Sequence, residues 1–198
     1  MSLLQSIGID GLKVRHDLNV FVETGTGKGD GLAYVQEFCF ERYYSVELMK
    51  VLYEFSRERF KQNPSITLLN MKSEDGIVEI CSKLKPEDRV LFWMDAHFPG
   101  ADFNLAQYDS EPNPDIRIPM ERELRKLVTV RDVSRDVIIC DDLFLYEDGP
   151  FEVGNWPLRE RCGGNGVEFL HDIFSRTHLI IKTYSGTGYI MMIPKVIR

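Results

Sequence analysis

Apolar and polar positions follow two rhythms along this chain. Continuous apolar, β-branched or aromatic runs at residues 19–23, 43–47, 66–70, 90–95 and 136–141 read as buried strands, with Phe92 and Trp93 as sheet core. Between and after them lie stretches of helical spacing at residues 31–41, 48–62, 73–84, 120–130 and 167–176. In the second of these, Leu48, Val51, Leu52, Phe55 and Phe60 are expected to share the buried face, and Asn63-Pro64 stops the helix. Ser73, Glu74 and Asp75 open the third, with acids in the first turn where the helix dipole favours them. Residues 178–184 and 189–194, joined by a turn holding Gly186 and Gly188, read as a β-hairpin. Five βα units and a hairpin predict a largely parallel sheet with one antiparallel strand. Two long irregular stretches, 97–119 and 147–166, are rich in Pro, Gly and Asp. Loops of that length in a compact domain are commonly functional, which makes them candidate walls of a substrate pocket.

Length and composition narrow the classes. The 198 residues suit a single domain, 1–198, with residues 1–18 as an N-terminal extension. At 43% hydrophobic and 28% charged residues, the chain can bury a core and is not expected to be disordered. No apolar run approaches the roughly 20 residues of a membrane span. The first residues show neither a basic n-region nor an apolar h-region, so no secretory signal is expected. Cys39, Cys81, Cys140 and Cys162 have no metal-binding spacing, and a reducing, cytoplasmic setting follows, with Cys140 as a buried thiol. A net charge of −7 disfavours nucleic acid as a partner. The one basic stretch, 117–135, interleaves its cations with Glu121 and Glu123 and reads as a solvated helix face. A small-molecule or sugar acceptor is expected; a homo-oligomer stays open.

The sequence Glu23-Thr24-Gly25-Thr26-Gly27-Lys28-Gly29 closes the first strand and opens a helix. Glycines belong there because the turn is tight and the backbone must approach a ligand. A phosphate-binding P-loop requires Gly-Lys-Ser/Thr, and Gly29 follows Lys28 instead. A dinucleotide fingerprint requires glycine or alanine at position 30, which is Asp30. The leading acid would repel a pyrophosphate but suits the ammonium and sulfonium of S-adenosylmethionine. Glu47 ends the second strand, where an acid either accepts from ribose hydroxyls or caps the next helix.

The segments VFVETGTGKG, YYSVEL, ITLLNMKSEDG, VLFWMDAHFPG and DVIICDDL, with the closing hairpin, resemble the class I S-adenosylmethionine-dependent methyltransferases over residues 19–194. The resemblance implies an α/β, Rossmann-like three-layer sandwich whose seven-stranded sheet has the order 3-2-1-4-5-7-6, with strand 7 antiparallel. It implies that Glu23, Thr24, Gly25, Thr26, Gly27 and Gly29 hold the methionine end, and that Glu47 and Leu48 hold the ribose. The adenine contact falls to Ser73 or Glu74, because many relatives carry Asp where this chain has Met71 or Lys72. Asp95 closes the cofactor site.

Asp95 ends the fourth strand and Asp141-Asp142 the fifth. In a parallel sheet these carboxylates gather at the edge that carries the glycine turn, and like charges there call for a cation. Oxygen donors suit Mg²⁺ or Mn²⁺, while helix capping is the alternative for each Asp taken alone. The spacing also resembles that of metal-dependent sugar O-methyltransferases, which implies Asp95, Asp141 and Asp142 as metal ligands. Those enzymes have a second acid where this chain has His97, making His97, with Asp95, the candidate catalytic group; as a base its imidazole must be neutral. The expected reaction is O-methylation of a small-molecule or sugar hydroxyl. An RNA- or protein-modifying methyltransferase and a non-catalytic cofactor-binding domain are the alternatives.

Overall fold

The computed structural model describes residues 3–156 and 166–195. Seven strands build one sheet: β1 Val20–Thr24, β2 Arg42–Glu47, β3 Ile66–Asn70, β4 Val90–Met94, β5 Val137–Cys140, β6 His178–Thr183 and β7 Tyr189–Pro194. Their order is β3-β2-β1-β4-β5-β7-β6. The first five pair in parallel, and β7 runs antiparallel to both neighbours. This is the arrangement expected from the sequence. The helices are α1 Ile9–His16, α2 Asp30–Val35, α3 Lys50–Phe60, α4 Ser73–Cys81, α5 Pro114–Arg117, α6 Met120–Val130 and α7 Phe169–Phe174. None of them is long and apolar enough to cross a membrane.

The inner strands are covered on both faces, so successive residues enter two different cores. Val20, Val22, Phe92, Ile138 and Cys140 face a layer formed by α4, α6 and α7, meeting Ile77, Ile80, Leu124, Leu127 and Phe174. Phe21, Leu91, Trp93, Val137 and Ile139 face the other layer, where Leu32 and Val35 of α2 and Phe60 of α3 pack. Leu4, Ile7 and Ile9 are buried in that same layer. The N-terminal extension is therefore packed onto the sheet.

Two expectations about helix faces are corrected. In α3 the inward stripe is Leu52, Ser56 and Phe60, whereas Val51 and Phe55 are 57% and 53% exposed. The helix starts at Lys50, leaving Leu48 outside it, and the buried stripe passes through a serine. Ser56 is accommodated because its hydroxyl donates to the Gly27 carbonyl at 2.9 Å. In α6, Arg122 and Arg125 are solvated as expected, but Glu123 is fully buried beside Met120, Leu124 and Leu127. Its position, three residues after Met120 and four before Leu127, places it on the core stripe regardless of its charge.

Cys39, Cys81 and Cys140 are free thiols, with Cys140 buried. Cys162 lies outside the described residues, as do Pro157, Gly163 and Gly164 of the second irregular stretch.

Candidate functional site

The strand order reverses between β1 and β4, and the chain opens a crevice at their carboxyl ends. The turn after β1 fits there only as glycine. Gly25 has φ +81°, and a Cβ on it would lie 2.4 Å from the Asp95 carbonyl oxygen. At Gly27 a Cβ would meet the Phe103 ring at 2.5 Å. The amides of Gly25 and Thr26 donate to the Val46 carbonyl, tying the turn to β2.

Around this turn the acids are held by hydroxyls and amides. The Ser45 hydroxyl donates to Glu23 Oε2 at 2.5 Å, and Thr26 Oγ1 lies 2.6 Å from Ser45 Oγ. Glu47 accepts from the Gly27 amide at 2.8 Å and from the Met49 amide at 2.7 Å. It therefore fixes the glycine turn and the entry to α3 at once. Burial pushes the Glu23 carboxyl up to about 8, against the Ser45 bond and with the Asp95 and Glu47 charges. Burial also raises Glu47, although bonds from the Met49, Gly27 and Leu48 backbone oppose the rise.

A cleft of about 280 Å³ runs from the glycine turn past Glu47 and Leu48 to Ser73 and Glu74. Of the residues expected to bind cofactor, Thr24 and Gly29 do not line it. Thr24 is fully buried beneath the turn, and Gly29 sits against the Phe60 ring. At the far end Arg122 bridges Glu74 at 3.0 Å and Asp115 at 2.6 Å.

The structure gathers the predicted acids unequally. His97 Nε2 lies 3.2 Å from Asp95 Oδ1 and 2.9 Å from Asp142 Oδ2. One ligand atom from each of these three residues falls within 4.8 Å of the others, and Asp141 is outside the group. Asp141 Oδ1 instead accepts from the Asp142 amide at 2.8 Å. Asp142 has φ +53°, a left-handed conformation that Asp tolerates better than most residues. Phe98, next to His97, also has positive φ, at 39°, a strained geometry for an aromatic residue. Burial lowers the pKa of His97, but the bonds and charges of Asp142 and Asp95 outweigh it and hold the ring well above 6.5. The two carboxylates thus favour the protonated ring. Asp142 is held below the usual range by His97 in spite of burial. Burial raises both Asp95 and Asp141, the latter strongly and with help from the Asp95 and Asp142 charges.

A second, wider groove of about 890 Å³ lies beyond this group. Asp95, His97, Phe98, Asp102 and Phe103 line both cavities and form the partition between them. The outer wall of the groove is aromatic. The Trp156 ring centroid lies 5.4 Å from Phe98, 5.2 Å from Tyr108 and 5.2 Å from Phe144.

Solved structures with the same architecture share these features of topology. The O-methyltransferase TomG from Streptomyces achromogenes, involved in tomaymycin synthesis and solved with S-adenosylmethionine, matches at TM-score 0.61 and 15% identity, over 98% of this chain and 81% of that one. An O-methyltransferase from Bacillus cereus in complex with S-adenosylhomocysteine gives 0.62 and 12%, over 98% and 82%. An rRNA methylase from Streptococcus thermophilus gives 0.54 and 10%, over 91% and 94%. The chain has the class I methyltransferase fold. No protein-family model and no curated protein matches its sequence.

Within that methyltransferase fold, the two stretches expected to be pocket walls do line the cavities, through Phe98, Asp102, Phe103 and Tyr108 of the first and Trp156 of the second. The sequence reading missed the aromatic wall, since those stretches are about as rich in aromatic residues as the chain as a whole. It also missed Ser45, whose hydroxyl holds Glu23 from the neighbouring strand, and Arg122, which closes the far end of the cleft.

Proposed function

We propose that this chain is an S-adenosylmethionine-dependent O-methyltransferase acting on a small acceptor with a flat ring. The observation that carries the reading is the shared partition: one cleft with the chemistry for the cofactor, one aromatic groove, and Asp95 and His97 between them. Among the described residues no Lys or Arg pairs with Glu23, Glu47 or Asp95, so a cationic ligand would meet no competing Lys or Arg there. Glu23 and the glycine turn would hold the methionine end, Glu47 the ribose, and Ser73 or Glu74 the adenine. Methyl transfer requires nucleophile, methyl carbon and sulfur in line, which a partition between two cavities can enforce.

Asp95, His97 and Asp142 would hold a divalent ion. The fit is supported by their close ligand atoms, and two carboxylates with one imidazole accommodate Mn²⁺ more readily than Mg²⁺. A bound ion would lower the pKa of an acceptor hydroxyl. As a ligand His97 must be neutral, so the proton that its two carboxylates stabilise would leave when the ion binds. The rings of Phe98, Tyr108 and Trp156 would stack on an aromatic acceptor or on the apolar face of a sugar. An acidic groove and the net charge of −7 count against RNA.

The test is formation of S-adenosylhomocysteine, followed by mass spectrometry, with phenolic and sugar acceptors and with added Mn²⁺. Tight NAD binding without S-adenosylmethionine binding would overturn the cofactor. Binding without turnover on any acceptor would leave a non-catalytic domain.

A further inference from the structure

Glu123 is a carboxyl in the wrong medium. It sits on the core stripe of α6, 0% exposed, and neither of its oxygens has a hydrogen-bond partner. The Thr24 hydroxyl, also fully buried, has none either. The hydroxyls of Thr24 and Ser73 face the Glu123 carboxyl closely enough to pull its pKa down without reaching ordinary hydrogen-bond geometry. A buried polar group left in this state costs stability, and an apolar side chain of similar shape would cost none. Packing of α6 does not call for an acid there, because Met120, Leu124 and Leu127 already fill the stripe.

The location gives the cost a purpose. Thr24 ends β1 immediately before the glycine turn. Ser73 begins α4 and lines the cofactor cleft. Glu123 lies beside both. Resting on the cofactor reading above, we infer that Glu123 is a positioning residue. Through Thr24 and Ser73 it holds the floor on which the adenosyl group rests, and its contacts with them, already present without ligand, tighten into hydrogen bonds when that group presses on Ser73. Burial raises its carboxyl to about 7, with Ser73, Thr24 and His97 pulling down and Glu74 pushing up. A protonated carboxyl can donate to one hydroxyl while accepting from the other, so one side chain can link both elements.

The test uses Glu123→Met and Glu123→Gln in the full chain, each measured by thermal unfolding, by calorimetry with S-adenosylhomocysteine, and by amide hydrogen exchange without ligand. Glu123→Met is expected to unfold at or above the wild-type temperature, yet to bind about fivefold to tenfold more weakly and to exchange faster at the start of α4. Glu123→Gln, which donates and accepts in the same place, is expected to bind within about twofold of wild type. A Glu123→Met protein that is destabilised, or one that binds and exchanges like wild type, overturns the inference. So does a Glu123→Gln protein as weak as Glu123→Met. A wild-type protein that binds no S-adenosylhomocysteine removes the cofactor reading, while the exchange at Ser73 still decides whether Glu123 holds that segment.

Discussion

The two ends of the sheet treat buried acids in opposite ways. At the amino ends of the parallel strands, each acid has its cation. Asp136, fully buried, is gripped by Arg131 through both carboxylate oxygens at 2.7 and 3.1 Å, and accepts from the Val90 amide as well. Asp88 takes Arg42 at 2.5 Å and the Lys85 amide, and Arg131 also reaches the Asp88 carbonyl. At the carboxyl ends, Glu23, Glu47, Asp95, Asp141 and Asp142 crowd together, and His97 is the only cationic side chain bonded to any of them among the described residues. The first set completes itself within the chain. The second, on the proposed reading, is completed by a ligand. Two carboxylates thus serve the fold at one end, while the five at the other are, on that reading, left for a ligand.

The comparison breaks first at Arg131. Arg131→Ala leaves Asp136 buried without its cation and should cost about 3–5 kcal/mol of stability, measured by urea unfolding. A loss below 1 kcal/mol would mean that the amino end is no more self-contained than the site. Glu23→Gln is the matching change at the other end. It should leave the melting temperature unchanged or higher, because the amide still accepts from Ser45 and cannot ionise in the buried site, and should weaken S-adenosylmethionine binding by about 1–3 kcal/mol. Equal stability losses for both substitutions would erase the distinction.

Metal affinity sharpens the picture within the acidic end. Asp142→Asn should lower Mn²⁺ affinity by about 10–100-fold, while Asp141→Asn should change it little, as calorimetry would show. The reverse order would restore Asp141, the ligand expected from sequence resemblance, to the set.

The smallest expected effect is a slope with pH. Glu23, near 8, and Glu123, near 7, keep protons in the folded ligand-free protein that the unfolded chain gives up near 4.5. Their contribution to stability is complete below that value and is lost as pH rises through about 7 and 8, at up to about 1.4 kcal/mol per pH unit for each proton. Asp88 acts in the opposite sense. Burial raises it, but Arg42 and the Lys85 amide hold it below the ordinary range, so its contribution is lost as pH falls. Unfolding midpoints measured at pH 5.5 and pH 8.5 should show a decline that Glu23→Gln flattens. A flat wild-type profile would mean that Glu23 and Glu123 ionise normally.

What could be read in advance depended on how local its cause is. The strand Ile66–Asn70 and the helix Met120–Val130 match the sequence pattern at both ends, because apolar runs and helical spacing are set by neighbours in the chain. The glycine turn was legible because its acid and glycines are contiguous. The face of α3 was not, since the fit of Ser56 depends on a carbonyl 29 residues away. Glu123 was misread because its charge suggested solvent while its position in the stripe dictated burial. The grouping of His97 with Asp95 and Asp142, leaving out Asp141, depends on the left-handed backbone at Asp142, and no spacing rule anticipates that.

The partners of β1 have a temporal consequence. Val20 lies beside Arg42 on one side and beside Val90 on the other. Closing the second, longer loop costs more chain entropy, so the β1–β2–β3 half can pair before β4 and β5 arrive. The glycine turn, Glu23 and Glu47 belong to that early half. Asp95, His97 and Asp142 come with the later strands, and β5 in turn needs β7 from the end of the chain. On that order the acidic pocket is complete only once the later strands have paired. A ligand that bridges the two halves binds only the finished protein, and its whole binding energy acts as a brake on unfolding.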